Sequence, residues 1–310
     1  NMSAVLPVTD GLVAAYDFQQ GADPATLYDI SGNEPHRPIK PMIVVSLDDN
    51  NETDYTNAYR LAKERGIPIT SYIIPARIGN PGYLTWYQIR KMRAAGFGIE
   101  CHSNNHVRFT DLSEAEIRTN LQLVDTAFVG AGLPHPEHIS YPFGAYDSTV
   151  IDAVSDYRTT GRGLSGGTGV IKLWDQNTSW YELRAPSFNI PTEGDTSEVK
   201  ARIDDAIAKQ YVSMIFTHGV KENPGPNDCD INHFEEILDY IATKRDAGLI
   251  EPVTIDGLYR AIQGIRTHPA NPAPGASPAT ITLHGEVTGA TYDKTVDYVG
   301  FVWGTTRHNN

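Results

Sequence analysis

Cysteine is nearly absent: Cys101 and Cys229 are the only two in 310 residues. That excludes a small scaffold stapled by several bridges, and the pair reads as two free thiols. Long apolar runs are missing too. Stretches such as Met42–Val45 fall far short of the roughly 20 residues a membrane span needs, so no membrane insertion is expected. The start, Asn1-Met2-Ser3, lacks the basic stretch and long apolar run of a signal peptide and reads as a processed or excised chain. Positive charge is in deficit: 25 Lys and Arg face 38 Asp and Glu, a formal net charge of −13. Such a surface repels phosphate backbones and anionic membranes, and no Lys/Arg run offsets it. Nucleic acid is therefore not expected as a partner, and a neutral or weakly charged substrate suits the balance better.

What is present is ordinary globular composition, 40% hydrophobic and 20% charged. From Pro41 to about Arg266, short apolar runs alternate with helical stretches. The runs are Met42–Leu47, Ile67–Ile74, Phe97–Cys101, His138–Tyr141 and Tyr211–Phe216. The helical stretches are Asp54–Arg65, Thr85–Ala95, Ser113–Val129, Ser148–Ser155, Ser197–Lys209 and His233–Lys244, the third opening with a capping-box pattern, Ser113 to Glu116. That alternation predicts α/β architecture with a parallel sheet, and its length favours a (β/α) barrel over an open sheet. The flanks differ. Residues 1–40 read as an N-terminal β segment, similar to the opening strands of a jelly roll. Residues 267–279 carry four prolines and read as a stiff linker, and 280–310 as a partial β-sandwich. The whole has the look of a piece of a larger modular protein.

Four clusters follow apolar runs. Adjacent carboxylates Asp48 and Asp49 end the first; pointing in different directions, one can ligate a metal while the other takes protons, although both could be solvated acids of a turn. His102 and His106, four apart, would share a face on one helical turn and could grip one ion, although two surface histidines have the same spacing. In Tyr141-Pro142-Phe143-Gly144-Ala145-Tyr146, the Pro-x-Gly turn can aim a backbone N–H at a substrate oxygen. His218 ends Val212–Thr217 and precedes Gly219, a place suited to a general acid or to a structural histidine. At the carboxyl ends of barrel strands, all four would meet.

In order and spacing, Ser46-Leu-Asp48-Asp49, His102-Ser-Asn-Asn-His106, Ser140-Tyr-Pro-Phe-Gly144 and Phe216-Thr-His218 resemble the motifs of polysaccharide deacetylases, the NodB-homology domains of carbohydrate esterase family 4. The resemblance spans about residues 41–265, with the barrel domain at 41–266. It implies a distorted (β/α) barrel of about seven parallel strands. It also implies a divalent metal, zinc first with Co2+, Ni2+ or Mn2+ as alternatives, held by Asp49, His102 and His106. Asp48 would be the base, the Phe143 N–H an oxyanion donor and His218 the acid. Tyr141, Pro142 and Tyr146 would meet an acetylated polysaccharide. The family's third motif begins with Arg where this chain has Ser140, and Arg184 is the candidate to serve instead. The family's fourth motif, an Asp…Asp-Trp cluster, has no clear counterpart, with Trp174 and Trp180 in that region. The resemblance places the protein outside the cell or on a cell or virion surface. The competing expectation is a non-catalytic carbohydrate-binding or adhesion module that kept the barrel. A zinc peptidase is disfavoured by the lack of a His-Glu-x-x-His helix.

Overall fold

The computed structural model describes residues 40–164 and 179–263, together with short paired strands elsewhere. Outside the barrel, β1 (Tyr16–Asp17) pairs antiparallel with β2 (Tyr28–Asp29). The rest of 1–40, the linker 267–279 and most of the expected C-terminal β segment lie outside the described residues.

The barrel opens with β3 (Met42–Leu47), every residue of which is buried. Both faces of such a strand are covered, and its continuous Met-Ile-Val-Val-Ser-Leu run reflects that. A π-helical turn, Asp54–Tyr59, leads into α1 (Arg60–Glu64). Then come β4 (Thr70–Ile73), α2 (Trp86–Ala94), β5 (Gly98–Cys101), α3 (Glu114–Gly130), β6 (His138–Ser140), α4 (Ser148–Ser155) and β7 (Thr160–Leu164). After β8 (Val170–Lys172) follow β9 (Leu183–Ala185), α5 (Ser197–Lys209), β10 (Tyr211–Thr217), β11 (Val220–Lys221), β12 (Cys229–Asp230), α6 (Ile231–Asp246) and β13 (Glu251–Pro252). The capping box expected at Ser113 is formed: its Oγ accepts from Glu116 N–H, and the Glu116 carboxylate accepts from Ser113 N–H at 2.8 Å.

Seven strands run parallel in the order β10-β3-β4-β5-β6-β7-β9. The sheet then curls back on itself. Ser187, just past β9, bridges in parallel to Phe216 of β10, with Phe188 N–H donating to Phe216 O at 2.8 Å. The expected barrel of about seven parallel strands is what the chain forms. Its distortion has two sources. β8 pairs antiparallel with the start of β10. β13 takes the lower half of one edge of β3, Met42 and Ile43, while β4 pairs only with Ser46 and Leu47.

Beyond the barrel are α7 (Ile255–Gln263) and a hairpin of β14 (Ile281–Gly285) with β15 (Val299–Trp303).

Candidate active site

The carboxyl ends of β3, β5, β6 and β10 bring the four clusters to one end of the barrel, where loops of such folds build sites. At the end of β3, Asp48 N–H donates to Thr217 O at 3.0 Å, and then the chain turns sharply, with Asp49 and Asn50 at φ 78° and 46°. Asn50 fixes the turn by accepting Ile74 N–H on its side chain at 2.8 Å. At the end of β5, His102 N–H still reaches Ile73 O at 2.9 Å. Its ring Nδ1 lies 2.7 Å from Ser140 O. A carbonyl only accepts, so Nδ1 carries the proton and the lone pair is left on Nε2.

That Nε2 stands 3.5 Å from Asp49 Oδ1, and His106 Nε2 stands 3.3 Å from the same oxygen. Ligand atoms of all three residues lie within 4.8 Å of one another. Asp49 Oδ1 is buried and makes no hydrogen bond, the Arg77 guanidinium at 3.3 Å being its nearest cation. The donor set thus fits a divalent ion. Burial opposes charge on Asp49, but the imidazoles of His102 and His106 and the Arg77 guanidinium, 3.3 Å away, outweigh it and hold the carboxyl well below its usual range. Burial, with His102 beside it, pulls His106 down to about 4. A neutral imidazole is what ligation requires.

The two histidines do not share a helical turn, as their spacing suggested. They bracket a loop in which Ser103 and His106 take φ 62° and 58°, and Ser103 Oγ accepts His106 N–H at 2.9 Å. The physical reason lies in β5. Its ladder runs on through His102, so the chain enters the loop extended, and the positive φ at Ser103 and His106 takes it out of any right-handed helical turn.

Asp48 is 3% exposed, and both its carboxylate oxygens are engaged. Ser140 Oγ donates to Oδ2 at 3.2 Å, and the Arg162 guanidinium pairs with Oδ1. Arg162 comes from β7, fully buried, with Phe216 and Tyr72 rings under its guanidinium at 4.4 and 5.2 Å. Arg184, the candidate for the family's third-motif arginine, is exposed on β9, and the arginine that pairs with Asp48 is Arg162. Ser140, standing where the family motif has arginine, touches the same carboxylate.

The turn after β6 holds Phe143 at φ 59° with its ring half exposed, tilted against His106 at 4.6 Å and capped by Arg108 at 4.7 Å. The neighbours expected to meet substrate are placed differently. Tyr141 is buried, its hydroxyl donating to Tyr181 O at 3.0 Å and crowding Gly161, where a Cβ would meet it at 2.1 Å. Pro142 is buried as well, and Tyr146 is half-buried, packed 5.0 Å from Tyr141. Tyr141 and Pro142 are thus buried in the turn that leaves Phe143 exposed.

His218 is partly exposed one residue beyond β10, which pairs in register with β3 up to Leu47 and Thr217. Its Nδ1 donates to Asn227 O at 3.0 Å. Asp228 organises that loop, accepting from Gly219 N–H at 3.0 Å, Gly225 N–H at 2.9 Å and Lys221 Nζ at 2.9 Å. The partner on the ring is thus a backbone carbonyl. Behind the site, Asp54 is fully buried, with Ser71 Oγ donating to its Oδ2 at 2.9 Å and its Oδ1 unpartnered. Burial pushes its carboxyl well above the usual range.

Comparison with known proteins bears on this arrangement. Residues 36–161 match the family model described as polysaccharide deacetylase, a stretch that takes in Asp48, Asp49, His102, His106 and Phe143 and stops short of Arg162 and His218. The Bacillus subtilis (strain 168) protein YxkH, named for the same family, is 28% identical over 123 residues, 38% of this chain. The match takes in only 42% of that relative's length. Among solved structures, the Xyl-CE4 domain of a multidomain xylanase from the hindgut metagenome of Trinervitermes trinervoides is similar at 15% identity, over 72% of this chain and 91% of that one, with a TM-score of 0.49. A family 4 carbohydrate esterase from Streptomyces lividans, solved with acetate, is similar at 16% identity, over 66% and 89%, with a TM-score of 0.44. At these scores it is the strand order that defines the fold.

Proposed function

We propose that the polysaccharide deacetylase domain matched over residues 36–161 continues through the barrel to His218 and hydrolyses acetyl groups, N- or O-linked, on an acetylated polysaccharide. The observation that carries this reading is the convergence of two imidazole nitrogens on the buried Asp49 Oδ1, with a second, separately paired carboxylate on the adjacent residue. Asp49, His102 and His106 would hold a divalent ion, zinc being the first candidate for this nitrogen and oxygen set. When bound there, such an ion polarises the acetyl carbonyl and acidifies the attacking water.

The chain's own residues do the rest. Asp48 takes the proton of the attacking water, its orientation locked by Arg162 and Ser140 so that no reorganisation is needed during reaction. The Phe143 N–H, on a turn held in the left-handed region, donates to the oxygen on which charge develops. His218, its Nδ1 occupied by Asn227 O, presents Nε2 to protonate the departing amine or hydroxyl. Acetate and a deacetylated sugar leave. We place the enzyme outside the cell or on a cell or virion surface, within a larger modular protein. No helix among the described residues is long and apolar enough to cross a membrane.

The test is acetate release from acetylated chitooligosaccharides, acetylated xylan and peptidoglycan, before and after chelation. Release that stops on chelation and returns with added zinc or cobalt supports the reading. Glycan binding with no release from any substrate in the metal-supplemented protein overturns it in favour of a binding module.

A further inference from the structure

Helix α3 buries Ile117, Leu121, Val124 and Phe128, one stripe of the kind that docks a helix on a core. One member of that stripe breaks the pattern. Asn120, three residues past Ile117 and four before Val124, is 7% exposed, the only polar residue among the five that α3 buries. Packing alone would place an apolar side chain there, since a buried amide costs free energy unless both its ends are satisfied.

Both ends are satisfied, and by one target. Asn120 Oδ1 accepts Asn104 N–H at 2.7 Å, while its Nδ2 donates to Asn105 Oδ1 at 2.9 Å. Asn104 and Asn105 are the middle of the loop between His102 and His106. From the other side, Asn104 O accepts Ala76 N–H at 2.9 Å. The peptide groups at the crown of the loop are therefore held from α3 and from the turn after β4 at once. This loop also carries two non-glycine residues in the left-handed region, Ser103 and His106, a conformation that persists only where its surroundings over-determine it.

We propose that Asn120 is a positioning residue for the ion site: it holds the crown of the loop so that the Nε2 atoms of His102 and His106 converge on Asp49 Oδ1. The proposal rests on reading that triad as a metal centre. Only a short amide fits the role. Aspartate keeps the acceptor for Asn104 N–H but loses the donor for Asn105, leucine loses both, and glutamine is a methylene too long for a helix this close to the loop.

The experiment measures zinc affinity by competition with a chromophoric chelator, the visible spectrum of the cobalt-loaded protein, and melting of the metal-free protein, in wild type, Asn120→Leu and Asn120→Asp. Asn120→Leu completes the apolar stripe, so metal-free melting is expected to match or exceed wild type, while the zinc Kd rises about 10- to 100-fold, as for other groups that orient ligands. Asn120→Asp is expected to lie between the two, and the cobalt spectrum to change in both variants at saturation. Unchanged Kd and spectrum in Asn120→Leu would overturn the proposal. So would a lower melting temperature with an unaltered cobalt spectrum, which marks a structural role only. A wild type that binds no ion is a different failure, removing the metal-centre reading itself.

Discussion

The two halves of the site are finished to different degrees by the protein itself. On the side of Asp49, His102 and His106, three residues converge through turns with positive φ, and a buried carboxylate oxygen is left without a hydrogen bond. On the side of Asp48 and His218, each group that would move a proton has its partner in place: Arg162 and Ser140 on the carboxylate, Asn227 O on the imidazole. One half is built around something still to be added. The other has both Asp48 oxygens and the His218 Nδ1 paired as folded, although Arg162 Nε and Nη1 stay buried without hydrogen bonds, and that pairing suits groups that must be oriented before a proton moves.

That contrast can be broken most severely at Asp49. Asp49→Ala is expected to lose both bound ion and turnover, the latter by more than about 10⁴-fold, because the one carboxylate ligand is gone. Asp48→Asn and His218→Ala should instead keep wild-type zinc content and lose turnover by about 10²- to 10⁴-fold. Elemental analysis beside acetate release checks both; a zinc-depleted Asp48→Asn would place that residue in the ion's shell and erase the division. Stability offers the next test. Arg162→Met leaves a 3%-exposed carboxylate without its cation and should destabilise the fold by about 3–5 kcal/mol in urea unfolding, with Asp48→Asn in the same chain recovering most of it. Equal stabilities for Arg162→Met and wild type would mean the pair is not formed.

The smallest effect concerns Asp54. Its folded pKa is raised, so the fold keeps a proton that the unfolded chain releases near pH 4. Its stabilising contribution is complete below that pH and is lost as pH rises toward the folded value. Asp54→Asn should therefore gain on wild type as pH rises from about 4 toward neutrality. A difference that stays flat over that window would show the carboxyl ionised inside the fold.

Much of this was legible in the residues. The alternation of apolar runs and helices gave the barrel, because each β-α unit carries its own local pattern, and the Ser113 cap formed as its spacing required. The stretch from Thr160 to Ala185 stayed dark. β7 reads Thr-Gly-Arg-Gly-Leu and β9 only Leu-Arg-Ala, compositions without strand character. The glycines of β7 answer to tertiary contacts, Gly161 to Tyr141 and Gly163 to Tyr146, where a Cβ would collide. Arg162 was missed with that strand, since its partner lies 114 residues away and nothing local marks an arginine as buried. An arginine flanked by two glycines was the available signal. Likewise His102 and His106 were found as a pair, but the path between them depends on where β5 stops.

The closure of the sheet has a mechanical meaning. Between β3 and β10 six residue pairs run in register, whereas the last parallel joint, from β9 to β10, is one bridge at Ser187 and Phe216. The ring is as thin between β5 and β6, one pair at Cys101 and Ile139, and it yields at these two joints first. When it gives, β10 and its His218 travel with β3 and its two aspartates as a single plate, while β7 and Arg162 stay with the opposite wall. Thermal breathing would then loosen the guanidinium from Asp48 before it separates His218 from the aspartates. Fast amide exchange at Phe188 and Phe216 against slow exchange along β3 is the signature of that compliance.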